Sequence, residues 1–306
     1  MAAMGKLSMI RLAPLLALSA ACAVDPGSDE DLKLGEVDNL VESGNGTSLN
    51  GTSLNGTSLN GTSLNGTTLG ALGVTGHNAS GGAVTAAYGS TTAPPLAGSS
   101  WVGSTWTGYV TNLAITVPIK IISGDALPAP NAEVWEYEIQ FQNSAGWQKL
   151  CGVDGGGAAI KAISVAGTWS ATTATWASST TQFTLACRQK SVAKCVELGY
   201  KSYKGYSNQM ASCVRMLRAD YCGNNVSYTL DGQLVNLYDN LGIQADSQPW
   251  TKEGAWAPTG AKCLRTGGKI RYVTLGTGTP ACAAALYTST CGDSFGSGQY
   301  IVNEIQ

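Results

Sequence analysis

The chain has 306 residues, room for one large domain or two small ones with extensions. Charged residues make up 12%, against about 25% in ordinary domains; Gly, Ser, Thr, Asn and Ala fill the difference, as in secreted β-rich proteins and weakly structured stalks. The formal charge is −2 and no basic stripe runs along the sequence, so nucleic acid is excluded as a partner.

Lys6 and Arg11 precede a short apolar run, Leu12 to Ala21 (LAPLLALSAA), with small residues at its end. This is the layout of an export signal over residues 1–21. The run is too short to cross a bilayer as a helix. Its removal takes away Lys6 and Arg11 and leaves 16 basic against 20 acidic residues. Leu18-Ser19-Ala20-Ala21-Cys22 resembles the lipobox of bacterial lipoproteins, with Ser19 where Leu is usual. The resemblance implies acylation of Cys22 and a membrane tether through an N-terminal lipid. Cleavage and release is the alternative.

Residues 22–44 are acidic and punctuated by Gly and Pro, the composition of a flexible tether. From Asn45 the pentad NGTSL repeats without change to Leu64, with a close copy at Asn65–Leu69. A period of five fits neither an α-helix nor a plain strand. It fits a squared β-solenoid with one inward Leu per face, a pattern that continues weakly through Val74, Ala79 and Val84. It resembles the pentapeptide-repeat family, which prefers Asp or Asn where this chain has Ser before the Leu. A low-complexity stalk fits as well. In both cases residues 45–89 serve as a spacer.

A globular part follows over residues 95–306. Leu113–Ile122 reads as a strand interrupted at Pro118, hence an edge or a bulge. In Glu133–Gln142, Trp135, Tyr137, Ile139 and Phe141 alternate with Glu136, Glu138, Gln140 and Gln142, a strand with one buried and one wet face. Ile160–Val165 and Thr181–Cys187 are further strands. Ser191 is the expected N-cap of a helix closed by Gly199. Tyr200, Tyr203 and Tyr206, with Lys201 and Lys204 between them, read as residues packed on the sheet.

The strongest helix runs from Ser207 as N-cap to Gly223 as the residue after its end. Met210, Cys213, Val214, Leu217 and Tyr221 fall on one face, and Arg215 and Arg218 on the other. On a continuous helix Cys213 and Cys222 stand half a turn out of phase and about 13 Å apart along the axis. A bridge needs Cα atoms within about 7 Å, so each must staple the helix to something else. Asp220 opposes the helix dipole and calls for a partner, either N–H groups beyond Gly223 or an Arg. Asp231-Gly232 between β-prone runs signals a hairpin. Cys282 and Cys291 are spaced to close a loop.

The single histidine, His77, lies in the decaying repeat, which removes Ser-His-Asp and Cys-His chemistry from the globular part. No CxxC occurs, so thioredoxin-like redox sites and zinc knuckles are excluded. Without Cys22, eight cysteines remain: Cys151, Cys187, Cys195, Cys213, Cys222, Cys263, Cys282 and Cys291. They read as four disulfides, and their number allows about 105 pairings. Gly152–Gly157 is a Gly-rich turn lacking the Lys-Ser/Thr of a phosphate loop. Asp239, Asn240 and Asp246 lack the spacing of an EF-hand. No metal or cofactor is expected. Asp220, Asp231, Asp239 and Asp246 are the acids left for a carboxylate-dependent hydrolase.

Ala219-Asp220-Tyr221-Cys222-Gly223, preceded by Cys213 and followed by Asp231-Gly232, resembles the ADYC domain family. So do Phe183–Cys187, Lys194-Cys195, Gly199-Tyr200 and the segment from Trp256 through Gly260 to Cys263. The likeness covers about residues 130–306. It implies a family of exported bacterial proteins named for the tetrapeptide, and it carries over no catalytic residue. The expectation is therefore a mostly β (α+β) chain: a disulfide-stapled antiparallel domain with two short helices, held at the cell envelope or secreted. Its function is expected to be non-catalytic binding or structure, toward a protein or a glycan. The competing expectation is a carboxylate-dependent hydrolase acting on envelope or extracellular glycans.

Overall fold

The computed structural model describes residues 43–44, 75–77, 83–85, 94–110, 115–143, 145–169, 173, 175–178 and 183–306. All belong to one compact unit, Leu32–Gln306. The export signal, Cys22, and most of the tether and repeat lie outside them.

Two antiparallel sheets share the chain. The first has eight strands: β2 (Thr75–His77), β3 (Ala83–Thr85), β4 (Thr105–Val110), β5 (Ile115–Ala126), β6 (Trp135–Asn143), β7 (Gly146–Lys149), β8 (Ala162–Ala166) and β11 (Phe183–Cys187). Their order is β11-β8-β6-β5-β4-β2-β3, with β7 paired to β6. β9 (Thr168–Trp169) and β10 (Trp176–Ala177) make a small separate hairpin. The second sheet holds β1 (Ser43–Gly44), β12 (Leu234–Asp239), β13 (Thr251–Ala257), β14 (Gly260–Arg265), β15 (Tyr287–Thr288) and β16 (Ile301–Ile305). Its order is β1-β12-β16-β13-β14-β15, parallel at β14–β15 alone. Of the repeat region, β2 and β3 are described and pair antiparallel; the solenoid and stalk readings of residues 45–89 fall on residues outside the described ones.

Among the described residues there are three α-helices rather than two: α1 (Ser191–Glu197), α2 (Ser207–Leu217) and α3 (Arg271–Leu275). The third was missed because a five-residue helix is too short to show a period. It forms where Arg271 is held by a buried acid and ends at Gly276 in the left-handed region. The helix α2 packs on β13, β14 and β16, and α1 packs on β8, β11 and α2. One core fills that space, joining Ile163, Val192, Met210, Val214, Leu217, Trp256 and Ile301. A second core lies behind the first sheet, where the predicted alternation on β6 puts Tyr137, Ile139 and Phe141 inside. Pro118 sits in β5 just where that strand has β4 alone beside it, since the ladder to β6 begins at Ile119. A missing N–H is harmless there.

The disulfides are Cys151–Cys187, Cys195–Cys213, Cys222–Cys282 and Cys263–Cys291. The loop closure between Cys282 and Cys291 does not occur. Cys282 lies against the end of the α2 segment, while Cys291 reaches β14. The hairpin also differs. The turn at Asp231-Gly232 is present, with Gly232 at φ 84°, but Val226–Leu230 is no strand. Its backbone is taken elsewhere: the Tyr228 N–H donates to the Arg218 carbonyl, and the Thr277 hydroxyl donates to the Tyr228 carbonyl. The strand β12 pairs instead with β16 and β1. No described helix is long and apolar enough to cross a membrane.

Candidate functional site

The α2 helix stops earlier than its sequence pattern implies. Leu217 is its last residue, and Ala219 adopts φ 50°. The Asp220 N–H donates to the Arg215 carbonyl and the Ala219 N–H to the Met216 carbonyl. This is a Schellman termination with Ala where Gly is usual. The α1 helix ends the same way at Gly199, where glycine was expected. Gly223 has a different task. A Cβ there would lie 1.9 Å from the Thr259 carbonyl oxygen. One on Gly260 would lie 2.6 Å from the Tyr221 oxygen. The backbones of residues 221–223 and 259–261 touch, and the Ala261 N–H donates to the Tyr221 carbonyl at 2.9 Å. Ser191 and Ser207 are first helical residues, and neither helix has a side-chain cap.

Both arginines assigned to the wet face of α2 are buried, Arg215 at 1% and Arg218 at 5% exposure. An arginine survives burial when its donors are met, and here they are. Arg215 pairs with Asp220 and donates to the carbonyls of Pro258 and Thr173 at 3.1 and 3.0 Å. Arg218 donates to the Asn225 side chain and carbonyl at 2.5 and 2.9 Å. Burial lowers the Arg218 pKa; Asp220 opposes that shift and Arg215 adds to it. Asp220 is fully buried and also accepts the N–H groups of Asn224 and Asn225 at 3.1 and 3.0 Å. It therefore has both kinds of partner that its position called for.

Tyr221 reaches a second buried network. Its hydroxyl donates to Glu253 at 2.6 Å. Glu253 accepts the Arg271 N–H and guanidinium at 2.7 and 2.8 Å, and the Asn303 amide at 2.6 Å. The Trp256 indole N–H donates to Asn303 at 2.7 Å. Arg271 also donates to the Met216 carbonyl at the end of α2, at 2.7 Å. Glu253, Arg271 and Asn303 have no exposure. Burial, followed by the Glu253 charge, pushes the Tyr221 pKa well above its ordinary value.

The remaining predicted acids do not converge. Asp231 lies exposed on the turn. Asp239 folds its own loop, accepting the N–H groups of Leu241, Ile243 and Gln244 along with the Tyr200 hydroxyl. The Asn240 side chain is taken by Gln209. Asp239, Asn240 and Asp246 thus serve separate partners, and among the described residues no cluster fit for a metal ion occurs. Asp154 accepts the N–H groups of Gly156 and Ala158, which makes Gly152–Gly157 a closed turn. Glu136 pairs with Lys161 and Arg188 on the wet face of β6. The Tyr-Lys cluster is tied down by Glu133, which accepts Lys201, Tyr203 and Lys204. Burial raises the Glu133 pKa, but the two lysine hydrogen bonds outweigh it and hold the value lowered to about 2.

One pair of carboxyl groups stands apart. Exposed Asp246 and buried Glu304 both accept from the Asn236 amide, at 2.8 and 3.0 Å. Their oxygens are therefore no more than about 6 Å apart. Burial, reinforced by Asp246, raises the Glu304 pKa. Sequence reasoning missed Glu304, Glu253 and Arg271. The first two sit in short strands whose register is set by distant partners, and Arg271 sits in the five-residue helix.

The model of the ADYC domain family matches residues 98–269. No curated protein and no solved structure matches the chain.

Proposed function

The chain belongs to the ADYC domain family, and on that premise we propose that it is a lipid-anchored module that binds an extracellular partner without turning it over. The observation that carries this reading is the condition of the signature acid. Asp220 is fully buried, and its oxygens are filled by Arg215 and two backbone N–H groups. A catalytic acid or base must come within about 2.6–3.2 Å of a reacting atom, and Asp220 has no free approach. Four disulfides belong to an oxidising compartment outside the cytoplasm. The lipobox-like end of the export signal supports anchoring at Cys22, and the repeat spacer supports presentation away from the surface.

A second reading is favoured by Asp246 and Glu304. Retaining glycosidases hold two carboxyl groups about 5–5.5 Å apart, one with a raised pKa. A glycan-binding screen run beside a hydrolysis assay on the whole exported chain separates the two readings. Turnover that disappears in Glu304→Gln would replace binding with hydrolysis. Intact mass tests the layout: a diacylglyceryl increment and eight protons lost are expected, and free thiols would overturn it.

A further inference from the structure

Trp147 is 39% exposed on β7, on the polar face of the first sheet. Strand register places its neighbours. Trp147 lies opposite Gln142, and Lys149, Gln140 and Lys120 form one row across β7, β6 and β5. Residues directly opposite, and residues two apart along a strand, share a face. Phe141, Ile139, Ile121 and Ile119 turn inward to the core, so Trp147, the two lysines and the two glutamines turn outward. The Lys120 ammonium stands 3.9 Å from the centre of the Trp147 ring. The two lysines are two strand spacings apart, about 10 Å.

Charge supplies the second observation. Lys161 and Arg188 are bound by Glu136, Lys201 and Lys204 by Glu133, and Lys252 and Arg265 by Asp293. Lys120 and Lys149 form no ion pair among the described residues. The next acid along β6 is Glu138, which accepts a hydrogen bond from Gln140. In a chain of net negative charge, two ammonium groups without a carboxylate partner, one of them over the face of an exposed indole, make a local basic spot.

We propose that this face binds an acidic polysaccharide. The indole stacks on the C–H face of a pyranose ring, the ammonium groups pair with uronate carboxylates, and the glutamine amides take hydroxyls between them. The inference rests on reading the chain as a binding module, and it names the ligand class. Neutral glycans would leave both ammonium groups unanswered.

The test is affinity electrophoresis and calorimetry of the whole exported chain with polygalacturonate and alginate, with dextran as the neutral control. The acidic polymers bind and dextran does not. Trp147→Ala weakens binding about tenfold, and Lys120→Gln and Lys149→Gln each weaken it several-fold. About 0.5 M salt removes most of the affinity. The melting temperature stays within about 2 °C throughout, since the three residues are on the surface. Unchanged affinity in Trp147→Ala would place the glycan elsewhere while leaving the binding reading intact. Equal binding of dextran would refute the acidic ligand class. Retention of no polysaccharide would overturn the inference and leave the module with a protein partner.

Discussion

Replacing Asp220 by Ala tests whether the signature acid is structural. The change leaves the Arg215 guanidinium buried, still bonded to the carbonyls of Pro258 and Thr173 but without a counter-charge. Stripping one partner from a buried pair costs about 3–5 kcal/mol. The N–H groups of Asn224 and Asn225 lose their acceptors too, but they lie in a partly exposed loop where water replaces most of the loss. In a domain of this size each kcal/mol lowers the melting point by about 2–4 °C, so a fall of about 6–20 °C is expected. Circular dichroism melts under non-reducing conditions measure it. The double variant Arg215→Met/Asp220→Leu removes both charges together and should be less destabilised than the sum of its singles, because apolar replacement of a whole buried pair is often near neutral. If Asp220→Asn melted within about 2 °C of the parent while binding or turnover collapsed, the structural reading would be wrong.

Three further outcomes follow from the same contacts. Gly223→Ala should abolish folding, because its Cβ would meet the Thr259 oxygen at 1.9 Å with φ fixed at 65°; soluble yield and protease resistance comparable to the parent would contradict the close approach. Glu133 has a folded pKa lowered from 4.5 to about 2, so its contribution is full above pH 4.5 and is lost as pH falls toward 2. Glu133→Gln should flatten the stability profile across that window, read by urea titration at a series of pH values. Under limiting reductant without denaturant, Cys222–Cys282, whose residues are partly buried, should open before Cys195–Cys213, whose residues have no exposure. Alkylation and peptide mapping give the order, and the reverse order would refute it.

Much of the first sheet was readable because its strands carry their own pattern. Alternation on β6 needs no partner to be seen, and Gly199 marks the end of α1 locally. The second sheet was less readable. β16 is five residues at the end of the chain, yet it takes the place between β12 and β13; nothing local in Ile301–Ile305 announces a central strand. Val226–Leu230 failed in the opposite sense. Its β-branched and aromatic residues fit a strand, but its backbone bonds to Arg218 and Thr277 prevailed. The misplacement of Arg215 and Arg218 has a related cause. Amphipathic arithmetic assigns charge to water, and it cannot see the carbonyls of Pro258 and Thr173 that make burial tolerable.

The four letters of the signature make sense together once the helix is known to stop at Leu217. Had α2 continued, Asp220 and Tyr221 would project about 100° apart from one rod, and Cys222 would face away from Cys213. The left-handed turn at Ala219 breaks that periodicity. Asp220 then points back to Arg215 and forward to the loop N–H groups, closing the turn on itself. Tyr221 enters the core against Tyr228, Trp256 and Tyr272, with ring centroids 6.0, 5.2 and 5.4 Å away, and delivers its hydroxyl to Glu253. Cys222 leaves the helix axis and reaches Cys282, sixty residues on. Three consecutive side chains thus fasten the end of one helix to its own loop, to the second sheet and to the C-terminal segment. Those three attachments constrain Asp220, Tyr221 and Cys222 through folding, and the left-handed turn at Ala219 aims them.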